Sequence, residues 1–220
     1  MKYLHLTYIF VLFSMAAIAQ EWKMYRIDPV IQVSLPEKFE RKDTLGQTLI
    51  SSDAPFGTIQ ITISPDNPKT TPDIEKERHL KRYYDDFRNR LLSTSAGGSI
   101  LNERDTTVGK LKVKDLTLAV DSGSGKQYRN IRILHEEGNT YTFQYLFKDI
   151  HREYALPESR TFFHSIRFPA DADVATQFTN PENTTGETPP GGKRKIIISA
   201  GVLLILIGII YILWRRRRRH

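Results

Sequence analysis

The chain has 220 residues, of which 40% are hydrophobic and 26% are charged, and its formal net charge is +7. This length fits one ordinary domain with accessory segments. Because the chain has no cysteine, disulfides, thiolate metal sites, a cysteine nucleophile and a lipid-modified N-terminal cysteine are excluded.

The N-terminal segment, residues 1–19, predicts a signal peptide. It starts with Met-Lys, continues with mostly apolar residues and closes with Ala17-Ile18-Ala19. The small side chains of Ala17 and Ala19 fit the signal-peptidase pocket, and the polar Gln20 follows. Cleavage after Ala19 is therefore predicted, with an uncleaved anchor as the alternative.

Residues 20–170 form the predicted exported domain, in which apolar and polar residues alternate with a period of two. The clearest case is residues 31–35, which stop at Pro36. Residues 128–134 and 140–147 predict a hairpin around Glu137-Gly138-Asn139. The other predicted strands are residues 22–27, 48–51, 58–64, 100–106 and 111–120.

Two helices are predicted among these strands. Thr71-Pro72-Asp73 provides a cap, a proline and an early acid for a helix over residues 71–92, which Gly97-Gly98 ends. Its apolar face is predicted to hold Ile74, Leu80, Tyr84, Phe87 and Leu91. A shorter helix is predicted to start near Pro157 and to carry Phe162, Phe163 and Ile166. Strands in hairpin order with inserted helices predict an α+β fold, a mostly antiparallel β-sheet flanked by helices.

The C-terminal part predicts a membrane anchor. Residues 171–195 are rich in Thr, Pro and Gly and predict a flexible linker. Residues 196–214 contain no charged side chain and as a helix would span about 28 Å, close to the thickness of the bilayer hydrocarbon. The basic tail, residues 215–220, predicts a cytoplasmic stop-transfer signal made of Arg215, Arg216, Arg217, Arg218 and Arg219. The predicted topology is a single pass, with the N-terminal domain in the periplasm or at the cell exterior.

The charge distribution argues against a nucleic-acid partner. Residues 20–170 carry 23 Lys and Arg against 21 Asp and Glu, so the basic excess lies around the predicted anchor. A nucleic-acid-binding domain needs clustered positive charge on its own surface.

Four stretches of the exported domain carry a family resemblance. They are IQVSLPEKF at residues 31–39, the helix over residues 71–92, YTFQY at 141–145 and FFHSIRF at 162–168. Together, over residues 22–168, they resemble the PsbP-like α/β/α sandwich family. That family includes extrinsic subunits of photosystem II, a Ran-binding import factor and many exported bacterial proteins. The resemblance implies this fold and a tendency toward protein binding, and it supplies no catalytic residues. The C-terminal anchor departs from the soluble plant members.

The remaining polar motifs predict no catalytic, cofactor or metal site. His135, His151 and His164 lack ligand spacing for a metal, and Glu136 beside His135 is expected at a turn. Residues 122–126, SGSGK, lack the spacing of a phosphate loop and predict a flexible connection. Asp85 and Asp86 are adjacent in the long helix and predict a solvated face. Tyr83 and Tyr84 are expected to divide between surface and core.

The leading functional hypothesis is a non-enzymatic binding or assembly module of a bacterial envelope. Its expected partners are membrane lipid, through the C-terminal helix, and other envelope proteins, and no cofactor is expected. One alternative is an enzyme whose active-site residues are dispersed along the sequence. Another is a surface protein whose C-terminus is a sortase-type or exosortase-type sorting signal, with residues 188–192 as the recognition stretch.

Overall fold

The computed structural model describes residues 21–121, 123 and 125–179. The predicted cleavage residues Ala17, Ala19 and Gln20 lie outside this part of the chain, as do the predicted spanning segment and the arginine tail. Among the described residues, no helix is both long enough and apolar enough to cross a bilayer.

Nine strands are formed by the described residues. They are β1 (Trp22–Arg26), β2 (Gln32–Pro36), β3 (Glu40–Thr44), β4 (Gln47–Ala54), β5 (Gly57–Pro65), β6 (Gly98–Val108), β7 (Leu111–Asp121), β8 (Lys126–Glu136) and β9 (Asn139–Lys148). β1 and β2 form a separate hairpin, and the other seven form one sheet in the order β3-β4-β5-β9-β8-β7-β6. All pairs of neighbouring strands are antiparallel. The prediction of a mostly antiparallel sheet is confirmed.

The two α-helices, α1 (Glu77–Ser93) and α2 (Arg152–His164), cover opposite faces of this sheet. Successive side chains of a strand point to opposite faces, so each inner strand serves both helices. Ile131 and Ile133 of β8 pack with Leu80 and Tyr84 of α1. Phe143 of β9 lies on the other face, in the cluster that includes Phe162 of α2.

The turn between β8 and β9 confirms the predicted hairpin. Glu136 pairs with Asn139 across a two-residue turn formed by Glu137 and Gly138. Both turn residues have positive φ, 46° and 69°. Two consecutive positive φ angles match the right-handed twist of the flanking strands. The hairpin therefore holds His135 and Glu136 at the end of the sheet where β9 begins, which we call the Asn139 end; the opposite end is the Lys148 end.

The predicted start of the long helix was wrong. α1 begins at Glu77 with Lys76 as its N-cap, and this cap lies five residues after the predicted cap, Thr71. Ile74 is fully buried as predicted, but it reaches the core from the segment before the helix. Phe87 is only partly buried, at the edge of the hydrophobic cluster that α1 forms with β7 and β8. Tyr83 and Tyr84 are both buried. The expectation that the two tyrosines divide between surface and core was therefore wrong as well.

The second helix and one strand also differ from the prediction. α2 starts at Arg152, so Pro157 lies inside it, and Ile166 follows the helix. A 3₁₀ turn, Asp149–His151, precedes α2 and leads directly into it. β3 was not predicted, because all five of its side chains are exposed and none is apolar.

The segment that begins the predicted linker is partly folded. Val174–Gln177 form a 3₁₀ turn that Asp173 caps through a capping box. The Gln177 side chain is fully buried, and the backbone N–H of Thr179 donates to the carbonyl oxygen of Ile74 at 2.8 Å. The folded domain therefore extends at least to Thr179, and the predicted boundary at residue 170 was too early.

Candidate functional site

An exposed aromatic surface, which we call the end patch, lies at the Lys148 end of the sheet. It consists of Phe56, Ile150, His151 and Tyr154. The rings of Phe56 and Tyr154 are stacked with centroids 5.0 Å apart, and the His151 ring lies 6.4 Å from that of Phe56. Ile150 is 83% exposed and Tyr154 is 59% exposed. The patch thus presents apolar surface to solvent.

The turn that carries Phe56 is fixed to α2 by one carboxylate. Oε2 of Glu158 accepts the backbone N–H of Phe56 at 3.2 Å and the phenol O–H of Tyr145 at 2.5 Å. Gly57 allows the turn to approach β9, because a Cβ there would lie 2.5 Å from the carbonyl oxygen of Leu146. Phe56 is therefore held in place by its backbone and by its ring.

The part of the end patch that belongs to α2 also packs on the sheet beneath it. The guanidinium group of Arg152 lies 5.0 Å from the centre of the Tyr128 ring, and Tyr128 stacks on Phe147 at 5.4 Å. Tyr128 and Phe147 are buried. The first turn of α2, which carries Tyr154, thus rests on the sheet core.

A buried polar cluster lies at the opposite, Asn139 end. Nδ1 of His135 is 2.8 Å from the carbonyl oxygen of Gln177, and its Nε2 is 2.9 Å from Oδ2 of Asp66. Glu136 is 1% exposed, and its Oε1 lies 2.5 Å from Oγ1 of Thr176. Burial raises the pKa of Glu136 to about 7, and the nearby carboxylate of Glu137 adds to this rise.

This polar cluster lacks the arrangement of an active site. The His135 side chain has no exposed surface, so a substrate atom cannot reach either ring nitrogen. Two open surface grooves, of about 330 and 370 Å³, are lined by other residues. The cluster instead joins the residues after α2 to the sheet.

The three histidines singled out in the sequence do not converge. His135 is buried at the Asn139 end, and His151 belongs to the end patch at the other end. His164 is exposed at the C-terminus of α2 and lines the groove of about 370 Å³. Within the described part of the chain, no group of three or more His, Asp or Glu side chains is placed to hold a metal ion.

The adjacent acids of α1 differ in their surroundings. Asp86 is exposed, whereas Oδ1 of Asp85 lies 2.8 Å from Nζ of Lys114, whose side chain is 2% exposed. Glu103 and Asp105 of β6 contact the same ammonium group at 3.0 and 2.9 Å. Asp85 is therefore part of an ionic link between α1 and the sheet. The 122–126 stretch joins β7 to β8, and its two serines lie outside the described residues.

The residues of the end patch were not predicted from the sequence. The available signal was Pro55-Phe56-Gly57, a large aromatic side chain between two turn-forming residues. Ile150 and Tyr154 lie in a stretch of mixed charge, where their exposure depends on how α2 docks. Asp66 was also missed, because its contact with His135 joins positions far apart in the sequence.

Comparisons with known proteins bear on the fold. No protein-family model and no curated protein matches the sequence. PA94 of Pseudomonas aeruginosa has a TM-score of 0.45, with 9% identity over 69% of this chain and 99% of its own. LpqN, described as involved in cell envelope biogenesis of Mycobacterium tuberculosis, has a TM-score of 0.42, with 11% identity over 72% of this chain and 97% of its own.

The fold assignment rests on the similarity to a solved PsbP structure. Cyanobacterial PsbP (CyanoP) from Synechocystis sp. PCC 6803 has a TM-score of 0.52, with 12% identity over 70% of this chain and 95% of its own. At this identity the likeness establishes the fold alone. The chain therefore has a PsbP-like fold, as the sequence resemblance predicts.

Proposed function

We propose that this chain is a membrane-tethered, extracytoplasmic binding module without catalytic activity, which docks another envelope protein through the end patch. The observation that carries the proposal is the patch itself. Among the described residues, six large apolar side chains are exposed, and three of them, Phe56, Ile150 and Tyr154, belong to it. Exposed apolar surface of this kind marks interaction sites in soluble domains.

The construction of the patch favours binding. Aromatic side chains are enriched among the residues that contribute most to protein interfaces. The Phe56 ring is stacked on Tyr154, and the Phe56 backbone is hydrogen-bonded to Glu158. Because these side chains are already held in one conformation, docking of a partner would cost little side-chain conformational entropy in the end patch.

The charges beside the patch favour a protein over a lipid surface. Lys148, Asp149, Arg152 and Glu153 flank its residues and together carry no net charge, and Arg152 is already engaged with the Tyr128 ring and with Asp149 at 3.8 Å. Anionic lipid headgroups attract clusters of lysine and arginine, which these four residues do not form. We therefore expect a partner protein with an apolar contact surface bordered by charges of both signs.

The position of the patch suits a tethered domain. The described chain ends at Thr179, bonded to Ile74 at the Asn139 end, whereas the patch lies at the Lys148 end. In the proposed topology, residues 180–195 continue to a helix over residues 196–214. The patch would then face away from the point where the chain leaves the domain, and the linker would not cover it.

Site-specific photocrosslinking in native membranes tests the proposal. A photoreactive phenylalanine analogue replaces Tyr154 in the full chain, and the same analogue at Leu45 serves as the control. Leu45 is matched because it is apolar, 72% exposed and located in the β3–β4 turn at the Asn139 end. We expect position 154 to give one discrete protein adduct that position 45 does not give.

The partner identified from the crosslinked adduct is then purified, and its binding affinity for this chain is measured to complete the test. Phe56→Ala and Tyr154→Ala should each weaken binding by about 30-fold, corresponding to about 2 kcal/mol for a central interface residue. Leu45→Ala should leave the affinity unchanged. The docking proposal fails if position 154 crosslinks only to lipid, if positions 45 and 154 give the same adducts, or if the patch variants bind normally.

A further inference from the structure

Residues 173–179, which we call the C-terminal strap, are held against the Asn139 end by a dense hydrogen-bond network. The buried Gln177 amide donates to the carbonyl oxygens of Lys112 and His135 and accepts the backbone N–H of Lys112. The backbone N–H of Glu137 donates to the carbonyl oxygen of Thr176 at 3.0 Å. The strap therefore replaces neighbouring-strand partners that β7 and β8 lack at this end.

The two short contacts of Thr176 can both be hydrogen bonds at the same time only when Glu136 carries a proton. Oγ1 of Thr176 lies 2.5 Å from Oε1 of Glu136 and 2.6 Å from the carbonyl oxygen of Asp173. It also accepts the backbone N–H of Asp173 at 3.2 Å. The hydroxyl group carries a single hydrogen, so it can donate to only one of the two oxygens. Both contacts are satisfied when Glu136 is protonated and donates to Thr176, which in turn donates to Asp173.

His135 also joins the strap to the sheet. The carbonyl oxygen of Gln177 can only accept, so Nδ1 of His135 carries the hydrogen of that bond. Nε2 of His135 lies 2.9 Å from Oδ2 of Asp66, the residue that follows β5, so the ring is held from both sides.

From this hydrogen count we propose that the strap is a proton-dependent clasp, closed when Glu136 is protonated and released as Glu136 ionises. On its own hairpin Glu136 faces His135 and Glu137, and from the strap it faces Asp173 and Thr176. Tyr84 of α1 and Tyr141 of β9 are the other titratable groups close enough to interact with its charge. Its second carboxylate oxygen, Oε2, is buried without a hydrogen-bond partner. Ionisation would thus leave a buried charge beside two further carboxylates.

The direction of the pH effect follows from the pKa. Burial raises the pKa of Glu136 from its ordinary value of 4.5 to about 7. The carboxylates of Glu137 and Asp173 add to the rise, and together with burial they outweigh the contacts with Thr176 and His135, which lower the pKa. The closed clasp therefore binds the proton more tightly than the open one. Its stability is complete below the ordinary pKa of 4.5 and is lost as the pH rises from there through about 7.

Release would change the reach of the domain. The seven residues of the strap would join the chain that follows them, adding up to about 23–25 Å in extended form. Only this consequence depends on the proposed membrane anchor. The clasp itself depends on the contacts of Glu136, His135 and Thr176.

Amide hydrogen exchange on the full chain in detergent tests the clasp. The amides of Glu137 and Thr179 report opening, because each hydrogen bond joins the strap to the rest of the domain. After correction for intrinsic exchange rates, protection of both amides should fall by about 30-fold between about pH 5.5 and about pH 8.5, as a pKa change from 4.5 to about 7 requires.

Matched variants identify the group responsible. In Glu136→Gln the amide N–H can donate to Thr176 at every pH, so the strap should stay closed and most of the pH dependence should disappear. Thr176→Val removes the receiving oxygen and should give low protection throughout. The exposed Glu153, in the first turn of α2 at the Lys148 end, provides the control, because it does not contribute to the pKa of Glu136 and Glu153→Gln should behave like the wild type. The clasp is refuted if wild-type protection is independent of pH, or if Glu136→Gln follows the wild-type profile.

Discussion

The phenol oxygen of Tyr84 lies 2.9 Å from the backbone nitrogen of His135, whose N–H donates to it. The pairing of β8 with β7 ends at Ile133, so a side chain of α1 supplies the partner that a neighbouring strand would otherwise provide. The same hydroxyl group donates to the carbonyl oxygen of Lys112 at 3.0 Å. Burial raises the pKa of Tyr84, so it remains a neutral hydrogen-bonding group at physiological pH.

Replacement of Tyr84 by phenylalanine should therefore destabilise the domain. The ring would still fill its place in the core, but the buried N–H of His135 would lose its partner. We expect Tyr84→Phe to lower the free energy of unfolding by about 1–3 kcal/mol. Tyr154→Phe, on the exposed end patch, should change it by less than about 0.5 kcal/mol. Urea denaturation followed by tryptophan fluorescence measures both, and equal effects would argue against the hydrogen bond as the cause.

The ammonium group of Lys114 is predicted to stabilise the contact between α1 and the sheet. It contacts Asp85, Glu103 and Asp105, whose side chains are 30–51% exposed. A fully buried ion pair loses about 3–5 kcal/mol when one partner is removed, and solvent exposure of the carboxylates reduces this. We therefore expect Lys114→Met to cost about 2 kcal/mol near neutral pH. Lys112→Met, which removes a half-exposed pair with Glu77, should cost less than about 1 kcal/mol.

The effect of Lys114→Met should shrink in acid. Burial alone would raise the pKa of Asp85 and of Asp105, but hydrogen bonds from Lys114 and Lys81 outweigh it and hold both below 3.8. A lowered pKa gives stability that is present above the ordinary pKa and is lost as the pH falls through the lowered one. Unfolding curves of wild type and variant at a series of acidic pH values should therefore converge. A constant difference down to about pH 2 would contradict the role of the carboxylates.

Most of the sheet could be predicted because apolar and polar residues alternate regularly along its strands. Ile59, Ile61 and Ile63 of β5, for example, share one face and are buried there. β3 has no such pattern, because it lies at the sheet edge, where it pairs with β4 and exposes all five of its side chains. The start of α1 was misjudged because Thr71-Pro72-Asp73 satisfies local capping rules, whereas the packing of Ile74 ahead of the helix depends on tertiary contacts.

The candidate sites were harder to predict because they are formed by distant parts of the chain. Glu136 follows His135 before a tight turn, a position where exposed polar residues are usual, yet it is buried and contacts Thr176, which lies 40 residues later. Phe56 belongs to the patch because Glu158, about a hundred residues later, binds its backbone. Such contacts leave no periodic signal in a single sequence.

The strap also predicts where the stable domain ends. A fragment of residues 21–179 keeps the Gln177 side chain and its hydrogen bonds to Lys112 and His135, whereas a fragment of residues 21–170 leaves those backbone groups without it. We expect the shorter fragment to be less stable by about 3 kcal/mol or more, because several buried polar groups lose partners together. Denaturation of the two fragments under the same conditions measures the difference. Equal stability would show that residues 171–179 do not belong to the folding unit.

The last prediction concerns the C-terminal segment, which lies outside the described residues. If residues 196–214 are a permanent anchor, the arginines at 215–219 remain on the cytoplasmic side. Each could add on the order of 1 kcal/mol of attraction to anionic lipid, and each would cost about 2.5–3.5 kcal/mol to bring to the bilayer centre. We therefore expect the protein extracted from membranes to have the mass of residues 20–220.

A sorting signal would give a different mass and a different response to mutation. A transpeptidase would cut upstream of the spanning segment and leave a species that ends between residues 188 and 195. Replacing residues 188–192 by a Gly-Ser stretch of equal length should block that cut, whereas a permanent anchor would keep residues 196–220 in both proteins. Intact-mass measurement of the two proteins separates these outcomes. A mass that begins at Met1 would overturn the predicted cleavage after Ala19, because the small side chains of Ala17 and Ala19 would then have no processing role.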